Sequence, residues 1–394
     1  MKICDLTQFY SPVSGGVKRY LHEKIAYIQA SAGEDEHVLI IPDAKTGLTT
    51  APRSRIYSIH SPLLSRTSRY RALLNLRAVG EILERERPDL IEAGDPYQTA
   101  WKAIASGRAL RIPVIGFYHS HFAEAYLRNM QKFLGRAATE RMVQLANRYA
   151  GALYNRFAAT LVPSEQLAQV LREWGVRDVH AVDLGVNTNV FRPVPDDRAE
   201  TRARLGIPPT RTLLLYLGRL APEKNVGTLF AAFEQLRRKQ PDTFHLMIIG
   251  DGPQRNGIRR LQQSGSDITW QSYCTDSAEL ARYYRAADLF VHPGVQETFG
   301  LVALESQACG TPVVGIRGSY MDRIIFHEQI SWATRNTAEA LAAAIEESTR
   351  KNPRAFGAAA AREVAERHAW PRVFHRLFSI YREVCARYRR NATG

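Results

Sequence analysis

Short apolar runs alternate with segments of helical periodicity along the whole chain. Each run has the length of a buried strand, and this alternation is typical of a parallel sheet whose strands are connected by helices. The predicted strands form two sets, Lys2–Leu6, Val38–Ile41, Ile56–Ile59, Leu90–Glu92, Val114–Tyr118, Thr160–Val162 and Val179–Val182, and then Leu213–Leu217, His245–Ile249, Ile268–Trp270, Leu289–His292 and Val313–Gly315.

A polar break with two prolines separates the two sets at 193–197. Such a composition favours a linker, so we predict a boundary near Pro195 between an N-terminal domain, 1–195, and a C-terminal domain, 196–369. A long helix is predicted from Trp370 to about Arg390. The expected fold class is therefore α/β with two domains.

The composition is ordinary for a globular protein, with 394 residues, 45% hydrophobic and 23% charged. That length is enough for two full cores. No apolar stretch approaches the roughly 18 residues of a membrane span, and the chain enters its first strand without the core of a signal peptide. The four cysteines are scattered without a C-x-x-C pair. We therefore expect a cytoplasmic protein without disulfides or structural zinc.

The net charge of +14 is shared evenly between the two halves of the chain. Locally, the stretch 51–80 contains six arginines and no acid, and Arg128, Lys132 and Arg136 repeat every four residues along a predicted amphipathic helix. This surface suits anionic lipid headgroups at the inner face of a membrane, although a solvated helix face would give the same pattern. No nucleic acid partner is expected, because no known nucleic-acid-binding signature is present.

The candidate chemistry is concentrated in 288–314, DLFVHPGVQETFGLVALESQACGTPVV. This stretch is predicted to form strand, loop, helix and strand, with the loop at a strand's carboxyl end, where open α/β sheets bind ligands. Phe299 to Leu301 begin the helix and would offer backbone N–H groups to a phosphate. Glu297 and Glu305 could each accept hydrogen bonds from hydroxyls of a different part of the ligand, such as a hexose and a ribose.

At these residues the chain resembles the large fourth family of retaining glycosyltransferases. The resemblance implies the GT-B fold, in which two Rossmann-like domains face each other across a cleft. It also implies that Glu297 contacts the donor sugar and that Glu305 contacts the ribose of a nucleotide diphosphate sugar. By the same resemblance the N-terminal domain binds the acceptor, the C-terminal domain binds the donor, and the helix 370–390 packs back on the first domain.

A cationic loop, Gly218-Arg-Leu-Ala-Pro-Glu-Lys-Asn225, follows the strand Leu213–Leu217. Asn225 is placed to cap the next helix. Arg219 and Lys224 would hold a diphosphate and neutralise charge as the sugar leaves. The whole string resembles the diphosphate-binding loop of the family.

Two candidates lie in loops of the N-terminal domain. Gly15 and Gly16 lead into a predicted helix, Lys18–Ala30, and would let the backbone approach a phosphate or sugar, with a tight turn as the alternative. His119 ends the strand Val114–Tyr118, where a structural histidine is the alternative. The resemblance implies contact between His119 and the donor sugar. His121 stands where many family members have an acid.

In the C-terminal domain, Gly250 and Gly252 are interpreted as a strand-to-helix turn beside the nucleotide. Tyr273 marks the segment whose backbone would meet the base. We find no D-x-D after a strand to hold a divalent metal, and therefore expect neither a metal nor a cofactor.

These observations predict a metal-independent, retaining hexosyltransferase that uses a UDP- or GDP-linked sugar and forms an α-glycosidic bond with an acceptor hydroxyl. The acceptor is a sugar, a lipid or a small metabolite. A nucleotide-sugar epimerase of the same fold and a non-catalytic surface-binding module are the alternatives. The segments 317–322 and 329–332 depart from the family pattern, so the identity of the hexose stays open.

Overall fold

A computed structural model of the chain describes residues 1–11, 15–30, 33–64, 69–119, 135–195, 197–263, 265, 267–295, 299–319, 321, 323–326, 332–351 and 353–393. Four residues named above, Arg128, Lys132, His121 and Glu297, lie outside these ranges.

The chain divides into two compact units, each an α/β structure built on a parallel sheet. The first unit combines Met1–Leu184 with Trp370–Gly394, and the second is Gly185–Ala369. The predicted fold class is confirmed.

The first unit contains an eight-stranded sheet in the order β3-β4-β2-β1-β5-β6-β7-β8, in which β3 runs antiparallel to β4 and every other neighbouring pair is parallel. The strands are β1 Lys2–Leu6, β2 Glu36–Asp43, β3 Gly47–Ala51, β4 Ser54–His60, β5 Leu90–Ala93, β6 Val114–Phe117, β7 Ala159–Val162 and β8 Val179–Ala181. The edge strand β3 was not predicted. All five of its residues are exposed, so its sequence has no buried apolar face to reveal it.

The helices of the first unit are α1 Gly16–Ala30, α2 Leu76–Glu86, α3 Gln98–Leu110, α4 Arg136–Tyr154, α5 Glu165–Glu173 and, at the end of the chain, α13 Trp370–Thr393. Their N-termini follow from local chemistry where a cap is present. Asn75 accepts a hydrogen bond from the Ala78 N–H at 3.1 Å, and Ser164 accepts one from Leu167 at 3.1 Å.

The final helix α13 packs against α1 through aromatic side chains. Tyr27 of α1 lies between Phe374 and Phe378, with ring centroids 5.4 Å away in both cases. Trp370 stacks on Phe374 at 4.9 Å. The last helix therefore completes the core of the first unit.

The second unit contains a six-stranded parallel sheet in the order β11-β10-β9-β12-β13-β14. The strands are β9 Thr212–Leu217, β10 Phe244–Ile249, β11 Ile268–Gln271, β12 Leu289–Val291, β13 Val313–Ile316 and β14 Trp332–Ala333. The helices are α6 Asp197–Arg204, α7 Val226–Lys239, α8 Arg255–Gln263, α9 Ser277–Ala286, α10 Leu301–Ala308, α11 Ala338–Arg350 and α12 Pro353–His368. The strand order reverses between β9 and β12, and ligands bind beside such a reversal, outside the carboxyl ends of the strands.

The boundary between the units lies at Leu184, earlier than the position predicted near Pro195. The backbone N–H of Val186 donates to the His368 carbonyl at 2.7 Å, and the Phe191 ring contacts Tyr284 edge to face at 6.0 Å. These contacts tie the segment before the prolines to the second unit. The prolines therefore lie inside that unit and do not mark its edge.

Among the described helices, none combines the length and the apolar character that a membrane crossing requires.

Candidate active site

The cationic loop after β9 carries Arg219 and Lys224, as predicted from the sequence. The hydroxyl of Tyr216 donates to the Arg219 carbonyl at 2.9 Å and fixes the start of the loop. The Arg219 guanidinium is about half exposed and forms an ion pair with Glu223 at 2.8 Å. Lys224 is partly buried and ends a short 3-10 turn, Pro222–Lys224. Two cations thus lie close together in the chain, and the charge of Arg219 is paired with the neighbouring Glu223 carboxylate.

Asn225 connects this loop to the loop after β12. Its side-chain amide donates to the Pro293 carbonyl at 2.8 Å and to the Asn336 side chain at 2.7 Å. The prediction that Asn225 caps α7 was correct for its position and wrong for its contact. Its backbone is left-handed, with φ 56°, and its side-chain oxygen accepts a hydrogen bond from the Thr228 hydroxyl of α7 at 2.9 Å but none from a backbone N–H of the helix. These bonds hold the end of the cationic loop at Pro293, in the loop after β12.

The start of α10 is shaped by Gly300, which has φ +87°. A Cβ atom here would meet the Met321 side chain, and Ile324 at 3.1 Å, so only glycine fits without displacement. Phe299 is buried, with the Arg323 guanidinium 5.5 Å from its ring. The backbone N–H groups of Ala303 and Leu304 donate to the Gly300 carbonyl at 3.0 and 3.4 Å, so helix geometry leaves those of Leu301 and Val302 without intrahelical acceptors. Met321 belongs to the segment that departs from the family pattern, and it forms an apolar wall beside this helix start.

Glu305 lies on α10 and is 1% exposed. Its carboxylate accepts a hydrogen bond from the Tyr284 hydroxyl at 3.2 Å. The hydroxyl of Thr311 donates to the Tyr284 carbonyl at 2.6 Å and holds that residue in place. The proposed contact between Glu305 and a ribose stays a prediction, and Tyr284 is a partner that the sequence did not indicate.

The structure explains why glycines occupy positions 250 and 252 after β10. The loops after β9 and β10 are joined by backbone hydrogen bonds from Gly218 to Ile249 and from Leu220 to Asp251, both at 3.0 Å. A Cβ on Gly250, at φ +150°, would collide with the Gly218 carbonyl, and one on Gly252 would lie 2.5 Å from the Leu220 carbonyl. Both glycines therefore permit the close contact of two loops.

Tyr273 follows β11 and is 46% exposed. Its carbonyl accepts a hydrogen bond from the Gln271 side chain at 3.2 Å. The candidate features of the second unit all follow strands of one parallel sheet, so they lie at the carboxyl ends of its strands. They are the cationic loop, Gly250 and Gly252, Tyr273 and the start of α10.

His119 lies at the corresponding edge of the first unit. Its ring stacks face to face on Phe117 at 3.9 Å, and Tyr20 contacts it edge to face at 5.3 Å. Burial, reinforced by the charge of Lys24, lowers the pKa of His119 to about 3. The imidazole is therefore neutral at physiological pH and can exchange hydrogen bonds with a hydroxyl, but cannot supply a positive charge.

The two N-terminal glycines differ from those of the second unit. Gly15 is exposed, and a Cβ placed on it would meet no atom within 4 Å. Gly16 begins α1. No steric contact within the described part of the chain requires a glycine at position 15, so a role in ligand approach stays a prediction.

A buried cluster of charged groups beneath His119 was missed by the sequence analysis. The Lys24 ammonium contacts Asp5 at 2.9 Å, Glu92 at 3.2 Å and the Tyr381 hydroxyl at 2.9 Å. Burial raises the pKa of Glu92 to about 7, and Lys24 offsets part of that effect. Burial also favours protonation of Asp5, but Lys24 and His37 outweigh it and hold the Asp5 pKa well below its usual range. The sequence did contain a signal for this cluster, because Asp5 and Glu92 are acidic residues inside the predicted buried strands β1 and β5.

No group of three or more His, Cys, Asp or Glu side chains within the described ranges is placed to hold a metal ion.

Comparison with known proteins assigns the chain to a family. A family model described as Glycosyltransferase Family 4 matches residues 14–190, and one described as Glycosyl transferases group 1 matches residues 197–362. The GDP-mannose-dependent alpha-(1-6)-phosphatidylinositol dimannoside mannosyltransferase of Mycobacterium tuberculosis is 31% identical over 378 residues, which are 94% of this chain and 93% of that protein. The chain belongs to glycosyltransferase family 4.

Further similarities agree with this family 4 assignment. The alpha-monoglucosyldiacylglycerol synthase of Streptococcus pneumoniae is 31% identical over 252 residues, covering 62% of this chain and 55% of that protein. Among solved structures, sucrose-phosphate synthase from Thermosynechococcus elongatus matches with a TM-score of 0.79 at 22% identity, covering 98% of this chain and 99% of that one. The predicted family and GT-B fold are confirmed, and the chain is a glycosyltransferase that uses a nucleotide-sugar donor.

Proposed function

We propose that this family 4 enzyme is a retaining mannosyltransferase that takes mannose from GDP-mannose and forms an α-glycosidic bond to a hydroxyl of a lipid-linked acceptor, without metal or cofactor. The donor and the acceptor class are carried over from the mycobacterial relative, whose name specifies GDP-mannose and a phosphatidylinositol-linked substrate.

The observation that carries the proposal is the bridge made by Asn225 between the loops after β9 and β12. These strands are neighbours in the sheet, so their carboxyl ends lie about 5 Å apart. Arg219 and Lys224 on one loop and the N–H groups of Leu301 and Val302 at the start of α10 on the other can then contact a single diphosphate.

In the proposed reaction, the bond between the sugar C1 and the diphosphate oxygen breaks while a bond from C1 to the acceptor oxygen forms on the same face. The acceptor hydroxyl gives its proton to the departing phosphate. Arg219 and Lys224 stabilise the negative charge that develops on the leaving group, a task that otherwise falls to a divalent ion. We assign Glu305 to the ribose hydroxyls, and Glu297 and His119 to the sugar hydroxyls.

The test is a transfer assay with purified protein, octyl α-mannoside as a soluble acceptor, and GDP-mannose or UDP-glucose as donor. We expect an α-linked dimannoside from GDP-mannose, identified by the coupling constant of its anomeric carbon and proton, at a rate that EDTA does not change. A β-linked product contradicts retention, and loss of activity in EDTA contradicts metal independence. Consumption of the donor at the same rate without acceptor favours the epimerase alternative.

We also propose that the enzyme works on its lipid acceptor at an anionic membrane surface. The acid-free stretch 51–80 exposes Leu64 by 66% and Leu74 by 64%, next to several arginines. Apolar side chains flanked by cations suit insertion among anionic headgroups. Sedimentation with vesicles of phosphatidylglycerol, compared with phosphatidylcholine, tests this: a double variant Leu64→Ser/Leu74→Ser is expected to bind less. Equal binding of both proteins to both vesicles contradicts the proposal.

A further inference from the structure

A cavity of about 290 Å³ lies in the first unit, away from the loops that carry the candidate active site. It is lined by α3, by α13, by Ile112 and Val114 at the start of β6, and by 156–158 just before β7. In a parallel sheet these are the amino ends of the strands. His119 and the candidate loops follow the carboxyl ends, so the cavity lies at the opposite edge of the sheet.

The floor of the cavity is apolar. Ile112, Val114 and Phe157 are each less than 9% exposed, and Ile104 of α3 and Val384 of α13 complete this surface. A floor of this kind favours an organic group over a fully hydrated ion.

The rim of the cavity is cationic. Arg108, Arg156 and Arg387 line it together with Tyr388, and the lining residues that the structure describes include no aspartate or glutamate. Arg387 donates to the Ala158 carbonyl at 3.0 Å and pairs with a carboxylate outside the lining. Arg108 and Arg156 have no carboxylate partner in the described part of the chain. The cavity therefore has an excess of positive charge.

Two other surface arginines on helices of this protein pair with a carboxylate of their own helix. Arg77 pairs with Glu81 at 2.9 Å, and Arg367 pairs with Glu363 at 2.6 Å, in each case one helical turn away. Ile104, one turn before Arg108 on α3, and Ile112, just after the helix ends at Leu110, both belong to the cavity floor. The exposed Arg108 side chain therefore has no acid one turn before it and begins beside buried apolar residues.

The guanidinium of Arg156 lies over an aromatic ring. Its guanidinium lies 5.1 Å from the ring of Trp101, which is 40% exposed. Stacking on an aromatic face orients a guanidinium and leaves its N–H groups available for a planar, two-point contact with a phosphate.

We propose that this cavity binds a small phosphate ester of glycerol. The phosphate contacts Arg108 and Arg156, and the organic part lies on the floor beside Tyr388. An ester such as glycerol phosphate matches both surfaces, with its phosphate on the cationic rim and its short carbon chain on the apolar floor. A glycerol phosphate group is present both in free glycerol phosphate, where it is a monoester, and in the headgroup of phosphatidylglycerol, where it is a diester.

The first experiment is titration calorimetry of the whole protein with sn-glycerol 3-phosphate and with inorganic phosphate. We expect saturable binding of the ester to the wild type and a loss of at least about tenfold in affinity in Arg108→Gln/Arg156→Gln, since each variant side chain removes charge-assisted hydrogen bonds. Arg141→Gln, an equally exposed arginine on α4, is the matched control and is expected to bind like the wild type. Equal affinity in the double variant overturns the proposal.

Trp101 provides an independent signal. Binding next to Arg156 is expected to change tryptophan fluorescence with the same midpoint as the calorimetric titration, and Trp101→Phe is expected to abolish that change while binding persists. A melting curve of the double variant without ligand checks that it is folded.

Vesicles distinguish the two sources of the phosphate. If the free ester is the ligand, glycerol phosphate binds in solution and binding of the protein to phosphatidylglycerol vesicles is the same in the double variant. If the headgroup is the ligand, the double variant binds these vesicles at least about tenfold more weakly than wild type and Arg141→Gln. Absence of both effects overturns the proposal.

Discussion

His119 shows how burial selects the chemistry of a single residue. Its ring is enclosed by Phe117 and Tyr20, and its pKa falls to about 3 from an ordinary 6.5. At neutral pH the residue is an uncharged imidazole, so its contribution to binding comes from hydrogen bonds and shape. The sequence predicted the position of His119 at a strand end, but its neutral state depends on partners that are distant in the chain.

The shift in the His119 pKa gives a pH dependence with a defined sign. Below about pH 6.5 the unfolded chain binds a proton at this histidine and the folded protein does not, so stability falls as the pH falls from 6.5 towards 3. His119→Asn is expected to remove this part of the dependence. Urea unfolding at pH 7 and pH 5 checks it: the stability difference between the two pH values should be smaller in the variant. An unchanged difference contradicts the assignment.

Lys224 is expected to matter more for turnover than for folding. Lys224→Gln removes a cation that we assign to the leaving diphosphate, and such a loss typically lowers kcat by about 10²- to 10³-fold. Lys239→Gln, an exposed lysine on the same unit, is the control and should leave kcat unchanged. Steady-state kinetics and a thermal melt of both variants provide the comparison. A decrease in kcat of less than about threefold for Lys224→Gln would contradict the assignment.

At the scale of elements, two glycine positions differ in how they can respond to an added methyl group. Gly250→Ala brings a Cβ against the backbone carbonyl of Gly218, which cannot move without disturbing the hydrogen bonds between two loops. Gly300→Ala brings it against the flexible side chain of Met321. Both changes also place alanine at a positive φ.

We therefore expect Gly250→Ala to destabilise the protein more than Gly300→Ala, and only the latter to be rescued. Met321→Ala added to Gly300→Ala should recover part of the lost stability, while a residual cost of about 1–2 kcal/mol remains for the left-handed backbone. Chemical denaturation of the wild type, the two single glycine variants and the two double variants with Met321→Ala measures the order. Rescue of Gly250→Ala by Met321→Ala would show that the destabilisation does not arise at the glycines.

The sequence predicted the buried strands well, because burial on both faces leaves apolar runs such as those of β1 and β9. It did not predict β3, which is exposed, or β14, which has two residues. For the site, motifs placed Arg219, Lys224 and Gly300 at loops of one sheet edge. Sequence motifs could not predict the hydrogen bond from Asn225 to Pro293 or the one from Tyr284 to Glu305, because each joins segments that are far apart in the chain.

For the whole molecule, the buried cluster around Lys24 links the two ends of the chain. Asp5 comes from the first strand, Glu92 from β5 and Tyr381 from the last helix. A buried ion cluster contributes little compared with an apolar core, but removal of one member leaves the others unpaired. The cluster therefore makes the first unit sensitive to the position of α13.

Lys24→Met is expected to cost about 3–5 kcal/mol of unfolding free energy, because two buried carboxyl groups lose their cation. Tyr381→Phe removes one hydroxyl and should cost about 1–3 kcal/mol. Lys45→Met, at an exposed loop position, is the control. Denaturant titrations give the values. A Lys24→Met protein as stable as the control would contradict the role of the cluster.

The discontinuous first unit has a consequence for biosynthesis. Its core needs Phe374 and Tyr381, which leave the ribosome only after the entire second unit has been made. The usual order, in which the N-terminal domain folds first during translation, is therefore reversed in part. The second unit can fold while Lys24 of the first unit is still uncovered, and the N-terminal core can close only after α13 has been synthesised.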